Sequence, residues 1–354
     1  MRFTAVGALV LVLGVTTALP ASGTTTTPRT TQLAQLTRLG HSATTVPAAH
    51  TAHTAHKTLA GHETHAGAVR YASLRSCTVK KETAPCGPWR LNLHDGTRST
   101  LPGARVHARD AHGKVLKDVP APIAVSGDGR SIAYIRDRDD RLVVRELTGK
   151  VHTMPGSALP KATDGLTFDL SLTGGVLAVE DGDEKWVRLF DVAAGKALGT
   201  LPAHHAFAGF SGDEDEVLAT MGSDENTTLL VTYDLEGNEL TSRVPPQVVA
   251  SNTPATLSAD GRTVAFYSPG TRTLKFYDLE SDTVVGGVRV KLPGGGTTPE
   301  MLDWTGAHEV TAHVLHGETS TTMTVLRIDT GTGAVKVRDS YKIKNAFTFA
   351  ACGG

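Results

Sequence analysis

The sequence predicts an all-β fold, a six-bladed β-propeller closed by pairing of its C-terminal strand with the N-terminal blade. Three observations carry this. Glycine is plentiful (37 residues) and aromatics are few (5%), a balance that suits many short strands and turns better than long helices. A Ser-x-x-Gly-like turn between apolar strands recurs five times, and a strand ending in an Asp-x-x-Gly-like turn follows each copy. The two ends of the repeating region each supply part of one further copy.

Residues 1–66 are expected to lie outside the fold. Arg2 gives a positive start, Ala5–Leu19 is uncharged and apolar, and "PASG" follows. This predicts a secretory signal peptide over 1–23, cleaved near Ala21 or Gly23. The alternative, a single N-terminal anchor, needs a longer apolar run of ~20 residues, so no stable membrane span is expected. No cysteine follows closely, which argues against a lipid anchor. Residues 24–66 are rich in Thr, Ala and His, lack any sustained period, and read as a disordered tether. His41, His50, His53, His56, His62 and His65 lie there; weak divalent-metal binding is the alternative to a plain flexible linker.

From residue 67 to 354 the repeat takes over. Its first turns are "IAVSGDGRSIAY", "FDLSLTGGVLAV", "AGFSGDEDEVLA", "ATLSADGRTVAF" and "EMLDWTGAHEVTA". Their fourth turn positions are Gly129, Gly174, Glu214, Gly261 and Gly306, at steps of 45, 40, 47 and 45 residues. The second signature runs "LVVRELTGK", "VRLFDVAAGK", "LLVTYDLEGN", "LKFYDLESD" and "TVLRIDTGTG", with "PWRLNLHDGT" as a sixth copy upstream. Two signatures kept in phase describe a four-stranded antiparallel blade at the ~40–50-residue period of propeller repeats.

The stretch "VRLFDVAAGKALGTLPAHHAFAGFSGDED" resembles a WD-repeat, with Phe190-Asp191 where Trp-Asp usually stands and His204 or His205 near the usual Gly-His. The other blades, with Tyr-Asp, Ile-Asp or Arg-Glu, resemble it more loosely, over about Val69 to the C-terminus. The resemblance implies the fold and transfers no shared chemistry.

Ring closure follows from the leftovers. "AVRYASLRSC" reads as a second strand without a first, and "AFTFAA" (Ala346–Ala351) reads as a first strand without a second. Joined, they complete a blade, and Phe347 and Phe349 are expected to be buried against its neighbours. Cys77 and Cys86 bracket a polar hairpin tip and are expected to form a disulfide; Cys352 is left over, with no base evident beside it.

Catalytic signals are sparse. "HEVTAH" spaces its histidines five apart in a strand, unlike a helical zinc motif, so no metal site and no cofactor are predicted. No nucleophile elbow, phosphate loop or dinucleotide fingerprint stands in a suitable context. Ser126, Ser171, Ser211 and Ser258 recur at equivalent turns, as do Asp128 and Asp260, which reads as turn chemistry. Asp191, Asp234 and Asp278 read as turn or inter-strand anchors.

The short turns share one face; variable loops occupy the other. Its binding candidates are Asp139, Asp181, Asp183, Glu184, Asp224 and Glu225, whose charge suits a cationic partner or a metal ion. The formal net charge of −1 argues against nucleic acid. The expected function is a secreted, monomeric, non-catalytic scaffold for a protein, peptide or cell-envelope ligand. The alternative is a hydrolase or lyase acting on a lactone or sugar, with Ca²⁺ or Zn²⁺ at the tunnel mouth. A third reading is a sensor that passes its state to a membrane partner.

Overall fold

In the computed structural model, the described residues are 67–353 except 80, 184, 223–226, 294–297 and 318–320. The expected signal peptide and tether lie outside them. Helix is nearly absent from the described residues, and six four-stranded antiparallel sheets follow one another along the chain.

Blade one joins Ala346–Ala351, Val69–Val79, Glu82–Leu93 and Arg98–Thr100. Blade two runs Ile123–Val125, Ser131–Arg136, Arg141–Glu146 and Val151–Thr153. Blade three is Leu166–Leu170, Val176–Asp181, Trp186–Asp191 and Lys196–Leu201. Blade four is His205–Phe210, Glu216–Gly222, Thr228–Asp234 and Glu239–Arg243. Blade five is Ala255–Leu257, Thr263–Ser268, Thr273–Asp278 and Thr283–Arg289; blade six is Met301–Gly306, Glu309–His316, Thr322–Asp329 and Val335–Lys342.

The ring closes as the sequence implies. Tyr71 pairs with Ala351, Ala72 with Ala350 and Ser73 with Phe349, so a C-terminal strand becomes the inner strand of the first blade. Six apolar clusters fill the six blade interfaces, one per junction, including that between blades six and one. A blade's inner layers are therefore buried on both sides. Leu177 and Val179 face blade two while Ala178 between them faces blade four, which makes the strand a nearly continuous apolar run. Outer strands alternate poorly because they meet water: Thr283–Arg289 is exposed along nearly its whole length.

One expectation needs correction. Phe347 and Phe349 are half-buried, and only Phe349 joins the cluster against blade six. The strand edge is satisfied by pairing, but the aromatic gain per ring is smaller than full burial would give. Between blades one and two, a two-stranded hairpin (His107–Arg109 with Val115–Pro120) interrupts the repeat. Its turn, Asp110 to Gly113, repeats the Asp-x-x-Gly signature, with Asp110 Oδ1 accepting the His112 and Lys114 N–H groups, but no Ser turn accompanies it.

Antiparallel order places the turn after each blade's first strand and the turn after its third on one end of the ring. The loop after the second strand and the connection to the next blade lie at the other.

Candidate functional site

The tight-turn end is held by a repeated side-chain lock. Ser126 Oγ donates to Asp128 Oδ1 (2.6 Å) and accepts the Ser131 N–H (2.9 Å). Ser211 with Asp213, and Ser258 with Asp260, repeat it. Blade three carries Thr173 where the aspartate belongs, and Glu214 from blade four replaces it. Ser171 Oγ donates to Glu214 Oε2 at 2.8 Å and the Thr173 N–H to Oε1 at 2.6 Å. At the other turns of this end, Asp191 accepts the Ala194 N–H, Asp234 that of Asn238 and Asp278 that of Ser281. These hydroxyls and carboxylates are engaged in folding the chain.

His205, in the most WD-like repeat, is also structural: Nδ1 lies 3.1 Å from Pro202 O, and the ring meets Tyr233 edge-on at 5.5 Å.

At the loop end, Cys77 and Cys86 are joined, with Cα atoms 5.9 Å apart, across the long first hairpin of blade one. Asp139 is taken up by a two-point pair with Arg136 (2.8 and 2.7 Å), which with burial opposing it holds the carboxyl below its ordinary range. Asp181 is buried and accepts the Asp183 N–H at 3.0 Å; Asp183 itself is exposed, its carboxylate over Gly165. Glu184, Asp224 and Glu225 lie outside the described residues. Asp139 and the Asp181–Asp183 pair thus stand on neighbouring blades of one end without forming a single cluster. Beside Asp139, Asp140 pairs with Arg105 and Arg109, an association that the sequence reading missed.

The inner strands enclose a channel of about 420 Å³. Phe207 and Phe210 on its wall touch at 5.0 Å because a bulge at Ala208–Gly209 brings residues three apart onto one side. Asp169, Asp303, His313 and Glu300 also line it. Water reaches Asp169, yet the walls displace most of its hydration, which with the Glu180 charge pushes it up to about 6. Burial pushes Asp303 up to about 8; the Asp169 charge adds to this and the Arg338 charge opposes it. His313 is 1% exposed, and burial pushes it down to about 4. Its Nε2 lies 3.1 Å from Gly353 O, so the neutral ring carries its proton there and leaves Nδ1 bare. Asp303 Oδ2 and His313 Nδ1 are buried without a hydrogen-bond partner. His308 and His313 do not cooperate: the first stands in a turn, the second in the core.

Cys352 corrects a further expectation, since a base does stand beside it. Its Sγ lies 3.8 Å from His94 Nε2, and His94 Nδ1 lies 3.2 Å from Asp339 Oδ2, which also pairs with Arg70 Nε at 2.7 Å. No sequence spacing could show this, because the residues come from opposite ends of the repeat. Burial pushes the thiol up to about 11, and Cys352 is only 4% exposed. A protonated, enclosed thiol is a packing element of the closure rather than a poised nucleophile.

Among the described residues no three His, Cys, Asp or Glu side chains stand close enough to share a metal ion, and no helix is long and apolar enough to cross a membrane.

No protein-family model and no curated protein matches the chain. Solved structures similar to it are propellers. The TolB of Acinetobacter baumannii is 14% identical, over 79% of this chain and 65% of that one, with a TM-score of 0.42. A putative TolB from Agrobacterium tumefaciens is 15% identical, over 68% and 89%, with a TM-score of 0.40. The Cps50 (Swd1) β-propeller domain of Myceliophteria thermophila is 14% identical, over 63% and 72%, also at 0.40. Strand order and the six filled interfaces define this chain as a six-bladed β-propeller.

Proposed function

We propose that the protein is an exported, monomeric, non-catalytic scaffold whose loop end binds a protein, peptide or cell-envelope ligand. The observation that carries the reading is the contrast between the two ends. One is closed by locked turns; the other carries the disulfide-stapled hairpin, the blade connections and the exposed Asp183. The disulfide suits an oxidising compartment, in keeping with the signal-like N-terminus. The acidic candidates of the sequence, Glu184, Asp224 and Glu225 with Asp183, favour a partner with a basic surface.

The test is binding of purified full-length chain to cell-envelope fractions, comparing Asp183→Lys with Lys150→Glu at the tight-turn end. Loss of binding for Asp183→Lys alone is expected. Equal loss for both, or turnover of lactone or glycoside substrates by the wild type, would contradict the reading.

A further inference from the structure

We infer that the central channel binds a primary ammonium or guanidinium group between Asp169 and Asp303, with His313 as a further acceptor. This goes beyond the scaffold reading and does not depend on it.

The inference follows from what the wall can still offer. Ser171 and Ser211 line the channel, but their hydroxyl protons are committed to Glu214 and Asp213. Acceptor capacity on the wall comes from the carboxyls of Asp169, Glu300 and Asp303 and from the bare Nδ1 of His313. Asp303 and His313 reach the same side of blade six, since Met301 pairs with His313 and Asp303 stands two residues further on. Their orphaned atoms, Oδ2 and Nδ1, are therefore diagonal neighbours aimed at the closing blade and the channel. A buried acceptor without a donor costs free energy, and two together select a ligand that brings several N–H groups.

Charge narrows the class. Asp169 and Asp303 both line the channel, and the Asp169 charge opposes ionisation of Asp303, a conflict that a cation between them relieves. Phe207 and Phe349 add aromatic surface to the wall, and the cavity of about 420 Å³ accepts a group of side-chain size. A neutral alcohol brings a single donor and no charge, and an anion brings neither donor nor positive charge. The same chemistry is available from a free amine and from a lysine or arginine side chain of a partner.

Calorimetric titration of the full chain tests this with n-butylammonium, Nα-acetyl-lysine methylamide, Nα-acetyl-arginine methylamide and, as neutral isostere, Nα-acetyl-norleucine methylamide. Saturable binding of at least one cation and none of the norleucine compound is expected. Binding of butylammonium identifies a free-amine site; binding of only the amino-acid derivatives identifies a partner's side chain. Asp169→Asn and Asp303→Asn should each weaken binding about tenfold or more, while Glu280→Gln on the outer surface should not. Thermal melts confirm that each variant is folded, and either Asn variant alone suffices. Equal binding of norleucine and lysine compounds, no saturable cation binding, or folded Asn variants that bind like wild type would overturn the inference. None of these outcomes touches the loop-end reading.

Discussion

Cys352 Sγ and His94 Nε2 stand 3.8 Å apart although 258 residues separate them, because the last strand of the chain is built into the first blade. The thiol is enclosed, and burial keeps it protonated. Iodoacetamide should therefore label Cys352 very slowly in the native protein and rapidly after unfolding, as read by intact mass. Fast native labelling would show that the closure opens or that the thiol is activated.

Asp339 ties this corner together by facing Arg70 and His94 at once. Burial raises its pKa, but the His94 contact and the Arg70 charge outweigh it and leave it below 3.8. Its stabilising contribution is present above that ordinary value and is lost as pH falls through the lower folded value. Asp339→Ala leaves Arg70 and His94 without their shared carboxylate in a poorly solvated junction, at a cost of about 1–3 kcal/mol near neutral pH. Urea unfolding at neutral pH checks it, and an unchanged midpoint would contradict it.

Asp303 acts with the opposite sign. In the unfolded chain it ionises near 3.8, in the folded one near 8, so between these values unfolding releases its proton and stability falls as pH rises. Asp169, pushed up to about 6, and Glu216, up to about 7, bend the curve the same way. Asp303→Asn should flatten the dependence of Tm on pH and exceed wild type toward the alkaline end of that window. Parallel curves would contradict it.

Gly129 has φ +69°, and a Cβ there would run into the Val69 carbonyl, while Gly129 O accepts the Val69 N–H at 2.8 Å. Gly96 has φ +84° with open space around it. Gly96→Ala should therefore cost about 1 kcal/mol from backbone strain alone, and Gly129→Ala clearly more. Equal losses in thermal unfolding would contradict the contact.

What the sequence reveals of this molecule depends on how local the physics is. The turn locks at Ser126, Ser211 and Ser258 close within five residues, so they repeat visibly in the text, and blade number and closure follow from counting them. Glu214 is legible as an oddity in a glycine position, but its service to Ser171 of another blade is not. The Cys352–His94–Asp339 array and the Asp169–Asp303 pair are assembled only by bending six sheets into a ring. No spacing rule signals them. Asp139 shows the converse: exposed acid in a loop is conspicuous in sequence, whereas its commitment to Arg136 three residues away is apparent only in three dimensions.

The closing strand is the element on which blade number, channel and buried corner all depend. Removing 346–354 exposes the edge of Val69–Val79, takes Cys352 from His94 and Gly353 from His313, and opens the junction of blades one and six. Removing 1–66 touches none of these contacts. Thermal unfolding of the two truncations against the full chain is the most direct measurement. The expected result is a large loss of Tm, or of cooperative unfolding altogether, for the C-terminal truncation and little change for the N-terminal one. An unchanged midpoint after removal of 346–354 would contradict the closure.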